Sequence, residues 1–137
     1  CAGRLLLGTP GGNYHFTYRL PDTPVLIRAD SKRMEQVLDN LIENARKNVR
    51  EGGEIRLTIS CFEKEVSFSL FNQCAPIPEP ELPKIWSKFY RGQNTAGSGS
   101  GLGLAIVAQV LSAYRVSYGV RNHKNGVEFY FTFPIIT

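Results

Sequence analysis

The sequence predicts an α+β fold, a two-layer α/β sandwich in which a mixed, mainly antiparallel sheet is covered on one face by helices. Three observations support this prediction. The 137 residues suit a single domain. Apolar residues alternate in several short segments, as in half-buried strands, and two longer segments repeat at helical spacing. Short polar turns join neighbouring strands, so hairpins outnumber crossovers.

The predicted elements follow the order β-β-α-β-β-loop-α-β-β. Strands are expected at residues 14–20, 25–28, 54–61, 65–71, 116–122 and 127–133. The first helix begins at Ser31, whose hydroxyl is able to cap it, and stops before the pair Gly52 and Gly53. The second helix runs from about residue 102 to residue 114. Residues 1–13 are turn-rich and are interpreted as a linker or expression remnant, which leaves 14–137 as the domain.

Charge and cysteine content exclude several classes of protein. The net charge of +4 comes from 16 Lys and Arg against 12 Asp and Glu, scattered without a basic block. This argues against a nucleic-acid-binding arm and is compatible with a nucleotide ligand. No apolar run approaches the roughly 18 residues that span a bilayer, so we expect a soluble chain without membrane contact. The three cysteines lack CxxC spacing, which favours a reducing compartment and predicts buried thiols at Cys61 and Cys74.

The first helix carries a polar stripe. Asn40, Asn44 and Lys47 lie at positions i, i+4 and i+7, so they project in similar directions, well away from the apolar face. A solvated face is one interpretation, but Asn is a poor helix former and is unusual on such a surface. An amide oxygen suits Mg²⁺, and a nearby ammonium group can neutralise a phosphate. The stripe therefore suits a metal–nucleotide complex.

A glycine-rich segment, GSGSGLGL at residues 97–104, leads into the second helix. Glycines at a helix N-terminus let the backbone approach an anion, and the unpaired N–H groups favour phosphate. Alone, such a segment is equally typical of a flexible linker. The Walker lysine pattern and a preceding strand are both missing, which excludes a P-loop and a dinucleotide-binding fingerprint.

The two segments together resemble sensor histidine kinases. EQVLDNLIENARKNV is similar to the N box of that family, and GSGLGLAIV to its second glycine box. IWSKFYR, residues 85–91, resembles the F box. In the family, this box is the start of a mobile lid over the nucleotide. GVEFYFTFP is similar to the final strand of the family. The resemblance covers roughly residues 14–134 and implies the Bergerat ATP-binding fold of the GHKL superfamily.

The resemblance also implies roles for individual residues. Asn44 matches the Mg²⁺ ligand, Asn40 and Lys47 match contacts to the metal–phosphate region, and Asn48 falls near the base. Arg91 belongs to the lid, where its guanidinium could pair with the γ-phosphate. The nucleotide is further expected to contact Ile77, Phe89, Tyr90, Gly99, Gly101, Leu102, Gly103 and Leu104. Within that set, the backbone amides of residues 99–104 are expected to hold phosphates.

The first glycine box departs from the family pattern. The family has Asp-x-Gly-x-Gly-Ile, in which the Asp accepts a hydrogen bond from the adenine amine, whereas residues 72–77 of this chain read NQCAPI. Val127 stands where the wider superfamily often has a Thr that assists the same network. Asn72 keeps an acceptor oxygen but is neutral, so its bond to the amine is weaker. We therefore predict weaker and less adenine-strict binding.

The implied function is that of the catalytic domain of a two-component sensor histidine kinase. Such a domain binds ATP and Mg²⁺ and donates the γ-phosphate to a His on a separate helical dimerisation domain of the same receptor, with a response regulator downstream. His15 and His123 lack a phosphoacceptor context, so the chain alone should not autophosphorylate. We expect a monomeric fragment of a homodimeric, membrane-bound sensor, located in the cytoplasm and binding no nucleic acid.

Three alternatives remain open at this point. The chain could be a regulatory docking module with a degenerate base pocket, another GHKL ATPase, or an anti-sigma serine kinase. The related ATPases activate water with a Glu on the N-box helix, and Glu43 precedes Asn44 in this chain. Lys47 and the segment IWSKFYRG favour the histidine kinase.

Overall fold

The computed structural model describes residues 13–88 and 102–136. Their strands and α-helices are β1 (Tyr14–Arg19), α1 (Ser31–Asn48), β2 (Gly53–Phe62), β3 (Glu65–Gln73), α2 (Gly103–Ala113), β4 (Tyr118–His123) and β5 (Gly126–Pro134). A 3-10 helix, Glu79–Lys84, follows β3. The five strands form one sheet in the order β1-β2-β3-β5-β4.

The sheet is mixed and mainly antiparallel. β1 runs parallel to β2, whereas the β2–β3, β3–β5 and β4–β5 pairs are antiparallel. Two of these pairs are the hairpins that the alternating patterns predict. β5 inserts beside β3, so the last hairpin supplies both a central strand and an edge strand. The predicted α+β two-layer sandwich is confirmed.

The core lies between one face of the sheet and the two helices. Most of its buried residues come from α1, α2 and one face of β2, β3 and β5, and they include Val37, Ala45, Ile55, Val107 and Phe131. The predicted apolar face of α1 is buried from Met34 to Ala45. Because this face points at the sheet, the polar stripe of α1 is left at the edge of the helical layer.

The start of α1 differs from the prediction. Asp30, with an extended backbone, is the N-cap residue, and its carboxylate accepts a hydrogen bond from the Lys32 N–H at 3.3 Å. Ser31 is instead the first helical residue, so its predicted capping role is wrong. The side chain that caps a helix must precede the first helical residue, and Asp30 occupies that position. α1 ends at Asn48, before Gly52, whose φ of 75° favours glycine.

Two further predictions are wrong. The strand expected at 25–28 is a single bridge between Ile27 and Ile135. Pro24 directly precedes this segment, and a proline cannot donate a hydrogen bond to a neighbouring strand. Cys61 is exposed near the end of β2, whose last three residues are all exposed, whereas Cys74 is half-buried.

In the described residues, no helix has both the length and the apolar character needed to cross a membrane.

Candidate nucleotide site

Three asparagines follow one another along α1 at intervals of one turn. Asn40, Asn44 and Asn48 are all half-buried, although each has a polar side chain. The Asn48 NH₂ group donates to the Asn44 backbone carbonyl at 2.8 Å and approaches the Asn44 Oδ1 at 3.3 Å. A carbonyl oxygen has two lone pairs, so the Asn44 Oδ1 is oriented by this contact and can still accept another partner.

The start of α2 packs directly against this row. A methyl group on Gly103 would lie 3.3 Å from the Asn40 Oδ1, so the absence of a side chain lets the two helices approach closely. Leu102, the N-cap residue, provides no side-chain cap for the first turn of α2. A helix N-terminus whose amides are not capped by a side chain favours an anion. The predicted N box and second glycine box thus meet at Asn40 and Gly103.

The end of β3 forms the other side of the site. Asn72 is 1% exposed, and its NH₂ group donates to the Cys74 Sγ at 3.2 Å. Burial raises the pKa of the Cys74 thiol despite this hydrogen bond. Val127 lies directly opposite Asn72 in the β3–β5 ladder and is also buried. Asn72 and Val127, two of the positions at which the sequence departs from the family pattern, are therefore neighbours on one face of the sheet.

The chain after β3 is tied to its surroundings at several points. The Arg50 N–H, just beyond α1, donates to the Gln73 carbonyl at 2.9 Å and so connects the end of α1 to the end of β3. The Cys74 N–H donates to the Asn125 carbonyl at 3.3 Å. Ile77 is held by the Asn122 side chain through two hydrogen bonds, of 2.9 and 2.8 Å.

Sequence reasoning missed Asn122. The signal for it is an amide at a position of β4 that shares a face with the half-buried Tyr118 and Val120. A polar side chain on the packed face of a strand requires a hydrogen-bond partner. The pattern alone cannot name that partner, because Ile77 lies 45 residues away.

Residues 29–137 match the family described as histidine kinase-, DNA gyrase B- and HSP90-like ATPases. The chain belongs to this family. The sensor protein VanSB of Enterococcus faecalis is 31% identical over 125 residues, which make up 89% of this chain and 28% of VanSB. The chain thus spans under a third of that relative. β1 lies before the part that matches the family, although it completes the sheet.

Solved structures of family members agree with this assignment. The nucleotide-free catalytic domain of histidine kinase ThkA has a TM-score of 0.79 and 33% identity, covering 89% of this chain and 79% of that one. ThkA in complex with the response regulator TrrA has a TM-score of 0.76 and 30% identity, over 90% and 35%. Full-length ShkA in complex with AMPPNP has a TM-score of 0.76 and 29% identity, over 90% and 26%. The chain is homologous to sensor histidine kinase catalytic domains.

The F box resemblance is partly covered by the structure. Ile85 is 2% exposed, and the Trp86 ring packs edge-on against Tyr118 and Phe129, with centroids 5.1 and 5.7 Å apart. This family segment is therefore anchored on the sheet at its start. The predicted contacts Phe89, Tyr90, Arg91, Gly99 and Gly101 lie outside the described residues. Leu102, Gly103 and half-buried Leu104 lie at the start of α2, as expected from the resemblance.

Glu43 and Lys47 are exposed charged residues of α1, next to its asparagines. Lys47 is exposed, and its ammonium group is 4.0 Å from the Glu43 carboxylate. Glu43 also forms a 2.7 Å ion pair with Arg46. The Glu43 carboxylate thus contacts two cations, Arg46 and Lys47, and would have to leave them to act as a base toward water in the site.

Proposed function

We propose that this chain binds Mg-ATP and donates the γ-phosphate to a His on a separate helical dimerisation domain, as the catalytic domain of a two-component sensor. Residues 14–137 would form the domain and residues 1–13 a linker. Asn40, Asn44, Lys47, Gly103 and the backbone around it would hold the metal–phosphate half of the ligand. Asn48, Asn72 and Ile77 would form the base half.

The approach of α1 to the start of α2 carries this proposal. Asn40 and Gly103 belong to segments more than sixty positions apart in the sequence, yet a Cβ on Gly103 would be only 3.3 Å from the Asn40 amide oxygen. The N-terminal amides of α2 and the asparagine row of α1 therefore face a shared region. Amides at a helix N-terminus suit phosphate oxygens, and the asparagine oxygens suit a hard cation beside them.

The residues present fit a magnesium ion. The Asn44 Oδ1 is a neutral, hard oxygen donor that the Asn48 NH₂ group helps to orient. Mg²⁺ is commonly held by few protein oxygens together with the phosphates of its nucleotide, so a single amide ligand is compatible with it. When bound, the ion would neutralise phosphate charge. Lys47 would add a mobile positive charge nearby, because the 4.0 Å contact with Glu43 is weak and exposed.

The remaining predicted contacts complete the proposed site. Phe89, Tyr90 and Arg91 would belong to the lid, with the Arg91 guanidinium pairing with the γ-phosphate. The backbone amides of Gly99, Gly101, Leu102, Gly103 and Leu104 would hold phosphate oxygens. None of these assignments supplies a general base, so the role of the domain would be to position the donor for transfer.

The solved relatives support the ligand and the partners. ShkA was solved with AMPPNP and ThkA with the response regulator TrrA. By extension, we propose ATP as the ligand of this chain, a phosphoacceptor helical domain as its direct partner and a response regulator downstream. The whole protein would be a homodimeric sensor in a membrane, with this domain in the cytoplasm. The domain alone would not autophosphorylate, because it would lack the phosphoacceptor His.

Calorimetric titration with Mg-ATP tests the binding site. We expect Asn44→Ala and Lys47→Ala to weaken Mg-ATP binding by roughly tenfold or more, since each removes a contact to the charged half of the ligand. Gln109→Ala and Lys32→Ala are matched controls, because they remove an amide from an exposed position of α2 and an ammonium group from the first turn of α1. Unchanged affinity in both site variants would show that the site assignment is wrong.

Phosphoryl transfer tests the activity. The chain, a separately expressed phosphoacceptor dimerisation domain and γ-labelled ATP are mixed, and acid-labile label on the acceptor His is measured. Transfer that requires both components is expected. Tight Mg-ATP binding with no transfer would favour the regulatory docking module, and release of phosphate without an acceptor would favour a GHKL ATPase.

A further inference from the structure

Asn122 makes a pair of hydrogen bonds with a single residue of another segment. Its Oδ1 accepts from the Ile77 N–H at 2.9 Å, and its NH₂ group donates to the Ile77 carbonyl at 2.8 Å. The side-chain amide thereby offers the same donor and acceptor that a neighbouring strand would offer. Ile77 is consequently attached to β4 although it lies outside the strands.

The sequence around Ile77 makes this attachment unusually important. Pro76 and Pro78 flank it, and neither has a backbone N–H. Ile77 therefore carries the only backbone donor of these three residues, and Asn122 accepts from it. The residue before a proline also favours an extended backbone, which presents its N–H and carbonyl for such a pairing.

The attachment reaches the altered base half of the proposed site. Asn122 lies opposite Val127 in the β4–β5 ladder, and Val127 lies opposite Asn72 in the β3–β5 ladder. Asn72, Val127 and Asn122 thus follow one another across three adjacent strands. The segment from Asn72 to Ile77 leaves β3 and returns to the sheet at Asn122. The two glycines of the family pattern are replaced here, so the path of this segment depends on the hydrogen bonds that attach it to the rest of the chain.

We propose that Asn122 is a positioning residue for recognition of the nucleotide base, acting through Ile77. This inference rests on the proposed ATP-binding function. Asn122 fixes the wall of the base half, whereas Asn40 and Asn44 of α1 and the start of α2 hold the phosphate half. Removal of Asn122 should therefore weaken binding of a ligand that has a base more than binding of a ligand that has only phosphates.

Two ligands separate these effects. Mg-ATP is titrated by calorimetry, and Mg-tripolyphosphate, which has no base, is measured as a competitor of Mg-ATP. For Asn122→Ala we expect the Kd of Mg-ATP to rise roughly tenfold, while the inhibition constant of Mg-tripolyphosphate changes by less than about twofold. Exchange of the Ile77 amide hydrogen should accelerate in the same variant, because its acceptor is gone.

Two further variants distinguish the proposed effect on binding from a general loss of stability. Tyr114→Phe removes the hydroxyl that accepts from the Asp30 N–H at 2.8 Å. Tyr114 packs on Phe133, six residues along β5 from Val127, about 20 Å along the strand. This control should lower Tm but leave both ligand constants within about twofold. Asn122→Asp keeps the acceptor for the Ile77 N–H and loses the donor to the Ile77 carbonyl, so it should also weaken Mg-ATP selectively.

Each result decides the inference. Unchanged Mg-ATP affinity in both Asn122 variants would overturn it, as would an equal loss of Mg-ATP and Mg-tripolyphosphate. An equal loss of Mg-ATP affinity in Tyr114→Phe would also overturn it, since the effect would then follow stability. Failure of the unsubstituted chain to bind Mg-ATP is a distinct result, which would overturn the proposed function and this inference together.

Discussion

Replacing Asn72 with aspartate would restore the carboxylate typical of the family at a position that is 1% exposed. The two side chains have the same shape, so packing should be conserved and only charge and hydrogen bonding change. Aspartate loses the NH₂ donor that contacts the Cys74 Sγ at 3.2 Å. It also buries a charge with no cation among the described contacts of Asn72. We expect this variant to be less stable by about 2–4 kcal/mol at pH 8.

The loss should depend on pH in a defined direction. Burial raises the pKa of the new carboxyl in the folded state above its unfolded value of about 3.9. The unfolded chain then ionises first, so the deficit begins near pH 4 and grows until the folded pKa is passed. Each pH unit in that interval adds about 1.4 kcal/mol to the deficit. The difference in stability between Asn72→Asp and the unsubstituted chain should therefore be larger at pH 8 than at pH 5.

Urea unfolding at the two pH values measures this difference, with Asn125→Asp as the control. Asn125 lies exposed in the β4–β5 turn, so the same charge change there should alter stability by less than about 0.5 kcal/mol. Because a carboxylate accepts more strongly than an amide, Asn72→Asp should also bind Mg-ATP several-fold more tightly and discriminate better against Mg-GTP. Equal stability at pH 8 would refute the burial argument, and unchanged nucleotide preference would refute the assigned base contact.

Gly103→Ala should weaken Mg-ATP binding with little loss of Tm, because its methyl would press on Asn40 at 3.3 Å while alanine favours the helix. Calorimetry and thermal unfolding check this prediction. Unchanged Mg-ATP affinity would contradict the proposal that α1 and the start of α2 form one phosphate site. Glu128→Gln should cost about 1–2 kcal/mol at pH 7. Burial alone would raise the pKa of Glu128, but hydrogen bonds from Ser69 and His123 and the charge of Arg121 outweigh it and lower the pKa. That stabilisation is present above the unfolded pKa and is lost as the pH falls through the folded value. The variant should therefore approach the unsubstituted chain below about pH 4.5 in urea unfolding, and a constant difference would argue against the network.

Local patterns predicted much of the fold correctly. The apolar spacing of α1 and α2 and the alternation of the two hairpins were sufficient, because side chains of one helix face or one strand face must be buried together. The predictions that failed depended on neighbours. The segment at 25–28 alternates like a strand but forms only the bridge at Ile27. Cys61 belongs to an apolar run, but it lies at the end of β2 where the strand is exposed.

The candidate site divides in the same way. Sequence identified the stripe of Asn40, Asn44 and Lys47, the glycine-rich start of α2 and the altered stretch at 72–77 as candidates, since each is recognisable within one segment of the chain. It could not identify Asn122, whose role appears only beside Ile77. The resemblance assigned Asn72 and Val127 to one network, but their direct opposition depends on the register of β3 against β5, which no local pattern encodes.

The sequence by itself determined which residues lie on each face of each helix and strand, and the family to which those segments are similar. Tertiary structure alone decided which faces meet. The pairing of β3 with β5 and the approach of Gly103 to Asn40 join segments far apart in the chain. Such contacts depend on the packing of the whole core, and no local spacing encodes them.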